Sequence, residues 1–143
     1  METQKLFRGR LIDHLQLVVR DLDASRRFYK ALFAVLEVPL GGDAEDHFWA
    51  DELFVSGLDS PASNGALTGR THLAFQAKDP ATVQRAYDAM VAAGGEDHGA
   101  PGERQQYHPG YYAAFVLDPD GNNIEVVYHG PAKRSTDAVE VTF

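Results

Sequence analysis

Residues 11–19 alternate apolar and polar positions and become β-branched toward the end, which predicts a strand. Capping residues follow at 21–25, and Asp23 is the expected N-cap because a short carboxylate can accept an orphan backbone N–H. Over residues 24–36, Phe28, Leu32 and Val35 recur at helical spacing, and Phe33 and Leu36 widen the apolar stripe. Short apolar pieces broken by Gly41-Gly42-Asp43 and by Asp51-Glu52 then predict strands near 36–40, 46–50 and 53–56. Residues 58–70 contain Pro, Asn, Ser and Gly without periodicity and predict a linker.

The pattern then starts again. Residues 71–77 predict a strand, and Asp79-Pro80 opens a helix in which Pro80 is tolerated in the first turn. Val83, Ala86, Tyr87, Met90 and Val91 form its apolar stripe, and Gly94-Gly95 ends it. A strand or loop covers 96–102, a strand covers 111–117, a tight turn covers 118–122 and a last strand covers 123–129. Placing His14 on His72, 58 positions later, also sets Leu15 on Leu73, Asp21 on Asp79, Arg27 on Arg85 and Tyr29 on Tyr87. Each half reads β-α-β-β-β, so an internal duplication is the expected origin of the pattern. The fold class that follows is α+β: two tandem βαβββ modules forming a curved mixed sheet around a cavity. One domain is expected over 11–130, with modules at about 11–57 and 71–130 and a tail at 131–143. The tail alternates over 138–143 and is expected to add an edge strand or touch a second subunit.

Composition narrows the chemistry. The 143 residues contain no cysteine, so a disulfide framework and a thiol nucleophile are excluded and a metal would need His, Asp or Glu. The net charge of −8 repels phosphate backbones, so no nucleic-acid partner is expected. No apolar run approaches the roughly 20 residues of a membrane helix, and the polar residues 1–10 lack the apolar stretch of a leader. A cytoplasmic location, a small-molecule partner and no membrane partner are therefore the expectations.

Both strands that open the repeated units begin near a histidine, His14 and His72. The last strand carries Glu125 among Ile124, Val126 and Val127, where an ionised carboxylate is costly unless paired or bound to a cation. Two imidazoles and one carboxylate with open positions form the facial arrangement of non-haem Fe(II) oxygenases, and three ligands plus water equally suit Zn²⁺. Singly, each residue is as well explained by structure; Glu125, for instance, could pair with Arg104.

The run from Ile12 to Tyr29, the segment His72-Leu73-Ala74-Phe75, and above all the run from Phe115 to Glu125 through Asp118-Pro119-Asp120-Gly121 resemble the vicinal-oxygen-chelate superfamily. That is the glyoxalase, bleomycin-resistance and dioxygenase group, and the resemblance covers about residues 11–130. It implies one divalent metal (Fe, Mn, Ni or Zn) held by His14, His72 and Glu125, which would chelate adjacent oxygens of a small substrate. The fourth ligand of the glyoxalase I pattern falls on Phe54, which cannot bind a metal; a two-residue shift would bring Glu52 there instead. Small members are often dimers, so a homodimer is expected.

Residues 104–112 are dense in polar and aromatic groups. His108 is the candidate acid or base, since an imidazole titrates near neutrality. Tyr111 or Tyr112 is expected to hydrogen-bond a substrate oxygen, Tyr112 being the candidate catalytic partner of His108, and at most one of the two faces the cavity because strand neighbours alternate. Arg104 is suited to a carboxylate. His47 and Trp49 share a strand face, and Trp49 is expected in the core. The expected function is a metal-dependent lyase, isomerase or ring-cleaving dioxygenase. A metal-free protein that sequesters a small molecule or antibiotic is the alternative.

Overall fold

A computed structural model describes residues 5–132 and 139–142. A first strand, β1 (Lys5–Arg8), pairs antiparallel with the last, β10 (Val139–Thr142), in a two-stranded ribbon. The expected tail strand is therefore paired with the start of the chain; Ala138 and Phe143 lie outside the described residues. Between them stand two tandem modules of one design. The first contains β2 (Leu15–Val19), α1 (Leu22–Leu36), β3 (Gly42–Asp43), β4 (His47–Ala50) and β5 (Leu53–Gly57). The second contains β6 (His72–Gln76), α2 (Pro80–Ala92), β7 (Glu96–Glu103), β8 (Tyr112–Leu117) and β9 (Asn123–Tyr128). The sheets have the orders β2-β5-β4-β3 and β6-β9-β8-β7, each with one parallel pair, β2 with β5 and β6 with β9.

Local chemistry accounts for the helix ends. Helix α1 starts two residues earlier than expected: Asp21, not Asp23, is the N-cap and accepts from the Ala24 N–H at 3.1 Å. Asp23 then lies in the first turn, where its charge favours the positive end of the helix dipole. The strand expected at 36–40 does not form. The helical stripe runs on through Leu36, Glu37 turns left-handed with φ 61°, and the Val38 N–H closes on the Phe33 carbonyl at 2.9 Å. Residues 11–14 likewise precede the strand rather than join it. Helix α2 is capped as expected by Asp79, which accepts from Thr82 N at 2.7 Å, with Pro80 in the first turn.

One core joins the modules. Tyr29 of α1 touches Phe48 of the first sheet, and Phe33, one turn on, touches Phe75 of the second. Helix α1 thus meets the inner faces of both sheets. Leu17, Val19 and Val55 from one sheet, Val116, Ile124 and Val126 from the other, and Val83, Ala86 and Met90 of α2 complete the same cluster. The Tyr29 hydroxyl also donates to Asp118 across the modules at 2.5 Å. Because both inner faces serve this core, both outer faces point away from it. No helix among the described residues is long and apolar enough to cross a membrane.

Candidate functional site on the outer face of the second sheet

Hydrophobic pairing sets the second sheet's register, and the register sets the site. Leu73 lies opposite Ile124 and Phe75 opposite Val126, all toward the core, so Ala74 and Glu125 are partners on the outer face, with His72 two residues before Ala74. Glu125 is nevertheless buried, 3% exposed. His72 Nε2 stands 2.8 Å from Oε1, and the Tyr111 hydroxyl donates to Oε2. A carboxylate only accepts, so His72 carries its hydrogen on Nε2 in this pair. Burial pushes the Tyr111 phenol well above its ordinary value, helped by the hydrogen bond and charge of Glu125, so the hydroxyl remains a donor at neutral pH.

His108 joins the same cluster through Tyr111. Both its ring and that of His129 stand edge-on to Tyr111, with centroids 5.3 Å away. The two imidazoles stack at 5.2 Å, with His108 Nε2 3.0 Å from His129 Nδ1. His108 Nδ1 is 2.9 Å from the Pro109 carbonyl, an acceptor only, so Nδ1 carries hydrogen and Nε2 of the neutral ring accepts. The structure therefore brings together His72, Glu125 and His108, with Tyr111 as the link.

Tyr112 stands apart from this cluster. Its hydroxyl accepts from Gln84 of α2 at 2.9 Å and its ring packs on the core, on the face opposite Glu125. Tyr111, the alternative to Tyr112 in the sequence, and His129 occupy the outer face instead, and of the two only His129 went unmarked in the sequence. The tight turn could have identified them: it pairs Leu117 with Asn123 and hence Phe115 with Glu125, so continuing the ladder sets 111 and 129 on the face of Glu125. Arg104 does not pair with Glu125; its guanidinium lies over Phe115, 5.5 Å from the ring centroid.

His14 is not part of this cluster. It stands one residue before β2, exposed, with Nδ1 2.7 Å from its neighbour Asp13. On the first sheet Gln16 pairs with Phe54, as Ala74 pairs with Glu125 on the second, so Phe54 occupies the position corresponding to Glu125. Glu52 is in the turn before β5. His47 stacks on Phe54 at 5.0 Å, and Arg8 lies over Trp49 at 5.9 Å. Trp49 is buried as expected, but on this outer face, opposite Phe54 in the ladder, and not in the shared core. Among the described residues no three His, Asp or Glu side chains converge at metal-binding distance. His72 and Glu125 fit as two donors of a three-donor site. A cleft of about 680 Å³ lies elsewhere, beside Leu36, Lys78 and Tyr128, and touches the cluster only at His129.

The model of the Glyoxalase/Bleomycin resistance protein/Dioxygenase superfamily matches residues 11–126. A glyoxalase/bleomycin resistance protein from Albidiferax ferrireducens T118 superposes with a TM-score of 0.66 at 27% identity, covering 82% of this chain and 97% of that one. A glyoxalase-related enzyme from Fulvimarina pelagi has a TM-score of 0.66 at 19% identity, covering 92% and 97%. A lactoylglutathione lyase from Agrobacterium tumefaciens has a TM-score of 0.60 at 20% identity, covering 83% and 93%. At these last two identities the likeness is one of fold. No curated protein matches the sequence. The match over most of the length, together with the paired βαβββ modules, shows that the chain belongs to the glyoxalase/bleomycin resistance/dioxygenase superfamily.

Proposed function

We propose that this protein is a divalent-metal-dependent enzyme acting on a small molecule at the outer face of its second sheet. His72 and Glu125 are two of the metal ligands, and His14 of a second copy is the third. The observation that carries this reading is the buried carboxylate of Glu125 meeting the His72 imidazole at 2.8 Å on the outer face of the second sheet. The same geometry supports a homodimer. His14 is the counterpart of His72 in the repeat, yet it lies exposed on the other module, and the outer faces of both sheets point away from the shared core.

When bound, a divalent ion would supply Lewis acidity toward two adjacent oxygens of a substrate. The chain's own residues supply the rest. Tyr111 holds Glu125 in one orientation through its hydroxyl. His108 and His129, joined through Nε2 and Nδ1, take up a proton as a pair: it enters at the free Nε2 of His129 while the Nδ1 hydrogen passes to His108 Nε2. Ala113, Phe115 and Val127 line the same face and exclude water. Whether the reaction is of the lyase, isomerase or dioxygenase type follows from the metal: oxygen chemistry for Fe, carbonyl polarisation for Zn or Ni.

A second reading is a metal-free small-molecule binder. It is favoured by Phe54 at the position corresponding to Glu125 and by the protein partners on both oxygens of Glu125. Metal content separates the two. Protein purified without chelator should hold about one divalent ion per chain, lost in His72→Ala, Glu125→Ala and His14→Ala. Co-refolding His14→Ala with His72→Ala should restore about a quarter of the sites, because half of the dimers are mixed and each mixed dimer has one intact site. No metal in the wild type and no uptake of added Fe, Mn, Ni or Zn would leave the metal-free binder; uptake by a monomer would overturn the shared site.

A further inference from the structure

We infer that Arg104 is a specificity-determining residue that docks the carboxylate of a small planar substrate laid across Phe115. The inference rests on the outer face of the second sheet being the ligand-binding face and adds a substrate class to it. The guanidinium of Arg104 is half-buried and lies over the Phe115 ring at 5.5 Å. Its Nη2 donates to the Ala100 carbonyl at 2.8 Å, which fixes the plane of the group. No carboxylate among the described residues pairs with it.

The strand beside it is shaped for this side chain. A Cβ on Gly102 would come within 3.0 Å of Arg104 Nη1, and one on Gly99 would stand 2.9 Å from the Phe115 ring and 3.4 Å from Arg104 Nη2. These two glycines leave the lane in which the guanidinium and the ring stack. On the far side of the same ring, His72 stands edge-on with centroids 6.0 Å apart, and Glu125 is the ladder partner of Phe115. A fixed cation, an aromatic floor and the His72–Glu125 pair thus lie in one row. A planar molecule with a carboxylate at one end and oxygens at the other matches that row. A single guanidinium matches a monoanion bidentately, whereas a phosphate dianion generally gathers several donors or a helix N-terminus.

The test is titration of the full-length protein, without added metal, with benzoate, benzamide and inorganic phosphate. It is followed by the Arg104 Nε–H resonance and by calorimetry, alongside zinc uptake by the same preparations. Benzoate should saturate the wild type and move the Arg104 signal. Arg104→Gln should weaken benzoate binding at least about tenfold, to the level of benzamide, and leave zinc uptake unchanged. Gly102→Ala keeps the arginine but fills its lane, and should weaken benzoate as well. Equal benzoate affinity in the wild type and Arg104→Gln, benzamide binding as well as benzoate, or phosphate binding more tightly than benzoate would overturn the assignment. Zinc uptake with indifference to Arg104 would sink this inference alone. Arg104-dependent benzoate binding without zinc uptake would sink the metal reading and leave this one standing.

Discussion

Replacing Tyr29 by Phe removes one hydroxyl from the seam between the modules and leaves the ring in place. The hydroxyl is fully buried and donates to Asp118, which is 4% exposed. Asp118 is otherwise well served: Asn122 Nδ2 donates to Oδ2 at 2.8 Å, and the backbone N–H groups of Asp120 and Asn122 each donate to Oδ1 at 2.9 Å. A hydrogen bond to a charged group contributes about 1.5–3 kcal/mol, and with three donors left the expected loss is about 2 kcal/mol. For a chain of this size that lowers Tm by about 6 °C. The pH dependence has a definite sign. Burial, and then the charge of Asp118, raise the Tyr29 pKa well above its ordinary value. The unfolded chain releases this proton near pH 10 and the folded chain keeps it, so the contribution is complete below about pH 10 and is lost as pH rises further. Urea unfolding of the wild type and Tyr29→Phe between pH 7 and 11 measures both effects. The difference should be constant to about pH 9 and shrink above about pH 10. A difference below about 0.5 kcal/mol at pH 7, or one that does not shrink in alkali, would refute the reasoning.

Three further outcomes follow from the packing. Gly95→Ala places a Cβ 2.5 Å from Val116 and 2.8 Å from the Met90 carbonyl, which is backbone and cannot swing aside; a loss of about 1–3 kcal/mol in chemical denaturation is expected. Tyr111→Phe should weaken zinc affinity about tenfold by freeing one oxygen of Glu125, whereas Tyr112→Phe should change it less than about twofold because that hydroxyl faces Gln84. Zinc titration of the two variants side by side separates these roles. Analytical ultracentrifugation should give a dimer at micromolar concentration, and a monomer would remove His14 from the site.

The repeat, the two helices and the last hairpin were legible in the residues because their signals are local. Helical spacing from Phe28 to Val35, the Asp79-Pro80 start and the Asp118–Asn122 turn each fix a short stretch of backbone through sterics and capping. His72 and Glu125 were legible together because a carboxylate among valines demands a partner, and the repeat marked the histidine. Local signals failed where continuation of one element competed with the start of another, as at 36–40, where the helix and its left-handed cap took residues that also suit a strand. Which of Tyr111 and Tyr112 faces Glu125 was decided by the ladder between β8 and β9, which assigns each side chain to one face. The separation of His14 from His72 was decided later still. Sequence spacing makes them equivalents, but only the packing of α1 against both inner faces turns the two outer faces away from one core. Equivalence in a repeat is a property of the chain, whereas convergence on one point depends on how the modules pack, and hydrophobic burial settled that packing.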